Sequence, residues 1–363
     1  MARRTRNPFL GAALRRTLSV MTRTAMRAGA RAIQKSLKPP PSVRNTNAAK
    51  RPAASGKVAR KVPSGRPDQW LFGKATSVGG TRRFHLYRPP GMTSDEKLPL
   101  LVMLHGCLQD AQALAAVSGM NRVAARQCFM VLYPEQDRVS NAQRCWNWFD
   151  TRSGRAQVEA GILEAAIDQT CLAYPVDRSR LVLAGLSAGA GMAALLATRR
   201  PERYCAVAMH SGIAPGVANS SATALRAMRG GATGKPALSV TPGTKLPVLL
   251  VIQGGADSVV RSSNAEAAVQ LWASNVGALA ASPRTVQRGS RYAATVTDYR
   301  LGGRLVATLC LVDGLGHSWS GGAAGHAYSD VRGPDASRMI WAFAMKQFAA
   351  QTVFSTSPIF DNR

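Results

Sequence analysis

Ser187 stands in Gly185-Leu-Ser187-Ala-Gly189. An apolar run, Leu181-Val-Leu-Ala184, leads into this segment, and small residues from Ala190 towards Arg199 follow it. The run reads as a buried strand and the segment after it as a helix, so the motif predicts a nucleophile elbow. A sharp turn there would project the serine hydroxyl from the sheet edge. It would also bring the strand and helix backbones together, and Gly185 and Gly189 lack the Cβ atoms that would clash. The same pattern also fits an ordinary tight turn, so a catalytic reading needs a base and an acid elsewhere in the chain.

In α/β-hydrolases those partners follow in the order serine, acid, histidine. The chain has five histidines, His85, His105, His210, His317 and His326, and the last two alone come after both Ser187 and a plausible acid. His317 lies in a glycine-rich loop directly after an apolar strand. His326 lies nine residues on, in flexible sequence that reads as surface. Asp257 follows the Leu246–Ile252 strand by five residues. Asp298 precedes a strand, and Asp313 shares the strand of His317. The expected catalytic set is therefore Ser187, Asp257 and His317. His317 would take the serine proton, and Asp257 would fix the imidazole tautomer. The oxyanion would be held by the Ala188 amide and by an amide of the His105-Gly106-Cys107 loop, best that of Cys107. His105 itself is expected to orient that loop. This chemistry proceeds through an acyl-serine without a cofactor. No CxxC or Cys/His cluster suggests a metal.

Alternating elements supply the positioning. Strands are expected at Phe84–Arg88, Leu98–Leu104, Phe129–Tyr133, Tyr204–Met209, Leu246–Ile252 and Arg300–Leu311. Helices are expected at Ala111–Arg126, Val158–Leu172, Ser262–Asn275 and Asp335–Ala350. Continuous apolar strands alternating with helices predict an α/β fold, a mostly parallel central sheet with helices on both faces; the elbow and the serine, acid, histidine order make the expected fold class α/β-hydrolase. Residues 214–244 read as a Gly/Ala/Ser/Pro-rich insertion.

The chain has 363 residues and a net charge of +28, unevenly spread. Residues 1–67 hold 17 of the 47 basic residues and none of the 19 acidic ones. Leu10, Leu14, Leu18, Met21, Ala25 and Ala28 recur at helical spacing, with Arg16, Arg23, Arg27 and Arg31 on another side. The segment 1–37 therefore reads either as a basic amphipathic helix for an anionic or apolar surface or as a basic tail. Its arginines interrupt any secretory or transmembrane run. It has no aromatic interleaving of the kind that marks a nucleic-acid module. Residues 38–67 read as a flexible linker, 68–352 as the catalytic domain and 353–363 as a tail. Cys128, Cys171, Cys205 and Cys310 are expected to be small core residues. Cys107 and Cys145 would form a disulfide in an exported protein and remain thiols in a reducing cytosol.

Four segments in register carry a resemblance: His105-Gly-Cys-Leu-Gln109, Cys145-Trp-Asn-Trp-Phe149, Gly185-Leu-Ser-Ala-Gly189 and Gly314-Leu-Gly-His-Ser-Trp-Ser-Gly-Gly322. Across residues 70–350 the chain resembles the short-chain-length poly(3-hydroxybutyrate) depolymerases and the related feruloyl and acetyl-xylan esterases. The resemblance implies the same triad and an oxyanion loop at Cys107. It also implies that Trp146 lines the substrate cleft, with Trp319 as a second substrate contact; read from the residues alone, the Trp-Asn-Trp loop is core packing. Many relatives have Gly-Gly where this chain has Gly189-Ala190. Extracellular relatives carry a secretory signal and a substrate-binding module, and this chain has the basic head instead. It therefore resembles the intracellular, granule-associated type, and a cytoplasmic enzyme on polyhydroxyalkanoate granules is expected, with secretion the alternative. Its partners would be the polyester or granule surface, with no specific nucleic-acid partner and no membrane span. Rival readings are a feruloyl or acetyl-xylan esterase, and a non-catalytic protein that coats granules or tethers nucleic acid.

Overall fold

The computed structural model describes residues 69–92, 96–231 and 240–355, without the side chains of 351–355. The sequence readings for 1–37, for 38–67 and for the end of the tail lie outside the described residues.

Strand β3 (Leu98–Leu104) is buried along its whole length. Leu98, Leu100, Val102 and Leu104 enter one core, and Leu101 and Met103 enter another. The same alternation runs through β5 (Val176–Leu186), with Leu181 and Leu183 on one side and Val182, Ala184 and Leu186 on the other. In β7 (Val248–Gly254), Leu249 and Val251 oppose Leu250 and Ile252. Strands that are apolar at every position need cover on both faces. Helices α1 (Ala111–Ser118), α2 (Met120–Gln127) and α7 (Ala336–Ser355) cover one face. The other is covered by α3 (Arg155–Ala173), α4 (Ala188–Arg199), α5 (Ser221–Met228) and α6 (Ser263–Val276).

The sheet begins with the antiparallel pair β1 (Gln69–Ser77) and β2 (Gly80–Arg88). It continues through β4 (Met130–Pro134), β3, β5, β6 (Ala206–His210), β7 and β11 (Arg304–Val312). Every pairing from β4 to β11 is parallel. The far edge is antiparallel: β10 (Ala294–Leu301) pairs with β11, and the short β8 (Leu279–Ala280) and β9 (Arg284–Val286) pair with β10. A separate small pair joins β12 (Trp319–Ser320) to β13 (Ser329–Asp330). Parallel pairing brings the C-terminal ends of β3, β5, β6, β7 and β11 to one edge, the edge at which open α/β sheets bind ligands.

Three expectations need correction. The helix expected over Ala111–Arg126 is two helices, because Gly119 at φ 61° ends the first and starts the second. The single strand expected over Arg300–Leu311 straddles a hairpin: Arg300 and Leu301 end β10, which also holds Asp298, the chain turns at Gly302-Gly303, and the rest lies in β11. Cys205 and Cys310 are buried, but Cys128 is exposed and Cys171 only half-buried. Cys128 caps the C-terminus of α2 in the left-handed region, φ 52°, a position fixed by the end of a helix and not by core packing.

Candidate active site

Ser187 sits between β5 and α4 with φ 55° and ψ −117°, a conformation costly for a residue with a Cβ. Neighbouring elements hold it there. Its amide donates to the His210 carbonyl at the end of β6, at 2.8 Å, and its carbonyl accepts from Ala190 N–H at 3.0 Å. A Cβ on Gly185 would lie 2.3 Å from the Gly189 carbonyl, and one on Gly189 would lie 2.1 Å from the Leu104 carbonyl. The two glycines thus let β5, α4 and the end of β3 meet at backbone contact.

The loop after β7 carries Asp257, and the loop after β11 carries His317. They cross where a Cβ on Gly254 would sit 2.2 Å from the Leu315 carbonyl, and Ala256 N–H donates to that same carbonyl at 3.0 Å. The crossing aligns three side chains in series. His317 Nδ1 lies 2.8 Å from Asp257 Oδ2, and His317 Nε2 lies 3.0 Å from Ser187 Oγ. A carboxylate only accepts, so Nδ1 carries the proton and Nε2 offers its lone pair to the hydroxyl. Asp257 Oδ1 accepts the amides of Val259 and Val260 at 2.9 and 2.8 Å, and Oδ2 also accepts from Gln253 Nε2 at 3.2 Å. Burial pushes the Asp257 carboxyl up. The hydrogen bond and charge of His317, with the two amides, outweigh it and hold the carboxyl below its ordinary value. Asp298 is engaged instead by Arg284, Arg300 and Thr308, and Asp313 and His326 are exposed.

The loop after β3 lies beside the nucleophile: a Cβ on Gly106 would be 3.6 Å from the Ser187 Cβ. Gly106 N–H donates to Gln109 Oε1 at 3.0 Å. His105, fully buried, donates from Nδ1 to the Gly106 carbonyl at 2.8 Å, and its Nε2 accepts from Gln136 N–H at 3.1 Å. Burial pushes the His105 imidazole down to about 4, so the ring is neutral and makes both bonds. Among the described residues, the amides of Cys107 and Ala188 have no acceptor within the protein.

Cys107 and Cys145 form a disulfide, the alternative that the sequence left open. It joins the loop after β3 to the 135–148 loop. That loop is fastened from below by Glu159, whose carboxylate accepts from Gln136 Nε2 at 2.7 Å, from Asn147 Nδ2 at 2.6 Å and from Asn147 N–H at 2.9 Å. Arg82 meets the same carboxylate at 3.3 Å. The bridged cysteines are 38 residues apart, so a Cys107→Ser/Cys145→Ser variant is expected to lose about 2–4 kcal/mol of stability. Denaturant unfolding of both forms checks this, and an unchanged midpoint would count against the bridge as a stabilising element.

The two tryptophans expected to touch substrate do not reach a cleft. Trp146 is 0% exposed and donates from Nε1 to the His105 carbonyl at 3.1 Å. Trp319 is also 0% exposed; it donates to Ser337 Oγ at 3.2 Å and stacks on His210. Each ring is spent on packing a site loop against the sheet, so its face offers nothing to a ligand. Four residues of the assembly, Gln109, Gln136, Glu159 and His210, were given no role from the sequence. Glu159 carried a readable signal, a carboxylate at helical spacing from Ile162, Leu163 and Ala166 on the apolar side of α3. His210 carried another, its place at the end of an apolar run like the three expected site residues.

Among the described residues, no His/Cys/Asp/Glu group is arranged to hold a metal, and no helix is long and apolar enough to cross a membrane. Fold and site together define the described domain as an α/β-hydrolase of the serine-esterase class. The chain belongs to the family described as Esterase PHB depolymerase, whose model matches residues 82–292. It is 33% identical to poly(3-hydroxyalkanoate) depolymerase C of Paucimonas lemoignei, over 47% of this chain and 45% of that one. The chain thus spans less than half the length of that relative. A probable acetylxylan esterase A of Neosartorya fischeri is 26% identical over 72% of each chain. The solved acetyl xylan esterase of Aspergillus awamori superposes with a TM-score of 0.56 at 18% identity, covering 68% of this chain and 94% of that one, which is a likeness of fold.

Proposed function

We propose that the protein is a serine esterase that hydrolyses short-chain polyhydroxyalkanoate, such as poly(3-hydroxybutyrate). Ser187 is the nucleophile, His317 the base and then the acid, and Asp257 the residue that fixes the imidazole. The observation that carries the reading is the hydrogen-bonded series Asp257–His317–Ser187, at 2.8 and 3.0 Å. In acylation His317 Nε2 takes the hydroxyl proton while Oγ attacks the ester carbonyl. The tetrahedral oxyanion is met by the Cys107 and Ala188 amides. His317 then protonates the departing alkoxide. Water, deprotonated by the same nitrogen, releases the hydroxyacid and restores Ser187. The choice of polyester is supported by the name of the Paucimonas relative.

A second reading is favoured by how far the acetylxylan esterases extend along the chain, 72% of it for the Neosartorya protein. Parallel assays on amorphous poly(3-hydroxybutyrate), acetylated xylan and methyl ferulate decide between them, and turnover confined to the plant-wall esters would overturn the polyester reading. Docking on polyester granules is assigned to the basic residues 1–67. A chain lacking 1–65 is expected to co-sediment less with granules while hydrolysing a soluble p-nitrophenyl ester at an unchanged rate. Unchanged co-sedimentation would remove that assignment.

A further inference from the structure

His210 ends β6, beside Ser187 on the same sheet edge, and the catalytic series does not use its ring. Its surroundings are as specific as those of the triad. The main-chain carbonyl accepts the Ser187 amide at 2.8 Å, and the ring Nε2 accepts the Ser320 amide at 3.0 Å. Ser320 lies three residues after His317. Because Nε2 is an acceptor, Nδ1 carries the proton and donates to Ser211 Oγ at 3.2 Å. The ring stacks on Trp319 at 5.1 Å with an interplanar angle of 21°, and the residue is 1% exposed.

The residues after it hold the same corner. Ser211 has φ 52°, a left-handed value that is costly for serine, and its amide donates to the Ile252 carbonyl of β7 at 2.9 Å. A Cβ on Gly212 would lie 2.4 Å from the Ala190 Cβ of α4. One corner therefore touches the nucleophile, the helix behind it, the strand that leads to Asp257 and the loop of His317.

We propose that His210 is a positioning residue: one residue clamps the elbow of Ser187, through its carbonyl, and the loop of His317, through its ring, and so sets the Oγ–Nε2 distance across which the proton moves. This rests on the triad reading above. The ring suits the task in a second way. Burial, then the nearby His317, push its imidazole down to about 3. It stays neutral, adds no charge against the imidazolium that forms on His317, and does not compete for the proton.

Three variants test the clamp. His210→Gln places an amide oxygen near the position of Nε2, where it can accept the Ser320 amide. His210→Asn places its amide only as far as Nδ1. His210→Phe keeps a ring on Trp319 with no acceptor. Each is assayed on a p-nitrophenyl ester, with a fluorophosphonate to count competent serines and a thermal midpoint to confirm folding. His210→Asn and His210→Phe are expected to lose about 10²-fold in kcat per labelled serine, with KM within about twofold, because a displacement near 1 Å suffices for such a loss. His210→Gln is expected to recover most of it. Wild-type kcat in Asn and Phe, equal losses in all three, or a loss confined to KM would overturn the proposal, and Asn or Phe alone suffices if the other does not fold. Ser187→Ala run alongside separates the two claims: retained hydrolysis there would sink the triad reading whatever His210 does.

Discussion

Ser187→Ala is expected to lower kcat on a soluble p-nitrophenyl ester by about 10⁴–10⁶-fold while leaving a folded protein. The size follows from the series in which the hydroxyl stands. Without Oγ there is no acyl-enzyme, and His317 and Asp257 have no nucleophile to serve. What remains is the oxyanion pocket acting on a bound ester and a water, worth about 10³–10⁴ over solution in triad enzymes. Stability should barely change, since Ser187 is not fully buried and the hydroxyl's hydrogen bond among the described residues is the one to His317. The backbone supplies a second, opposite readout. At φ 55° and ψ −117° alanine keeps the strain of serine and glycine relieves it. Ser187→Gly should therefore be as inactive as Ser187→Ala but more stable by about 1 kcal/mol. Steady-state rates, with urea unfolding of both variants, check the pair. An alanine variant within tenfold of wild type would remove Ser187 from the mechanism. A glycine variant no more stable than alanine would mean that the elbow stores no strain.

The course of the sheet and the residues at its edge were readable because one physical rule generates both. A stretch of strand covered on both faces must be apolar at each position, so β3, residues 181–186 of β5 and residues 248–252 of β7 appear as uninterrupted runs, and the polar residues that follow each run lie at the edge. Ser187, Asp257 and His317 follow such runs, and the structure brings them into contact. The rule equally marks His210, but a histidine facing inward and one facing substrate look alike in a string of letters. The tryptophans fail for the same reason. Trp146 and Trp319 lie in motifs beside the site, yet proximity in the chain does not say which way an indole turns, and both turn inward to hold the loops that present other groups. The split of the first helix was hidden because apolar spacing continues across Gly119, whose positive φ interrupts the backbone and not the pattern. The Cys107–Cys145 bridge depended on how near two loops come, and the letters do not encode that distance.

Asp257→Asn, nearly isosteric, should cost almost as much as loss of the nucleophile, about 10⁴-fold in kcat. The hydrogen bonds around the carboxyl dictate how an amide would sit. Oδ1 accepts two backbone donors, Val259 and Val260, so the asparagine oxygen must take that place. Its NH₂ group then occupies the position of Oδ2, where two further donors, His317 Nδ1–H and Gln253 Nε2, now converge. Donor facing donor is relieved if the His317 proton moves to Nε2, leaving Nδ1 to accept from the new amide. That tautomer points its N–H at Ser187 Oγ and has no lone pair to receive the serine proton. Asp257→Ala leaves Nδ1 free to keep its proton and opens room for water, so it should retain more activity than Asp257→Asn despite removing more of the side chain. Rates of the two variants at neutral pH, with phosphonylation of Ser187 as a measure of nucleophilicity, distinguish the tautomer account from simple loss of charge. Under loss of charge alone the two variants would fall together, whereas alanine above asparagine in both measurements is the order that the Val259 and Val260 amides impose.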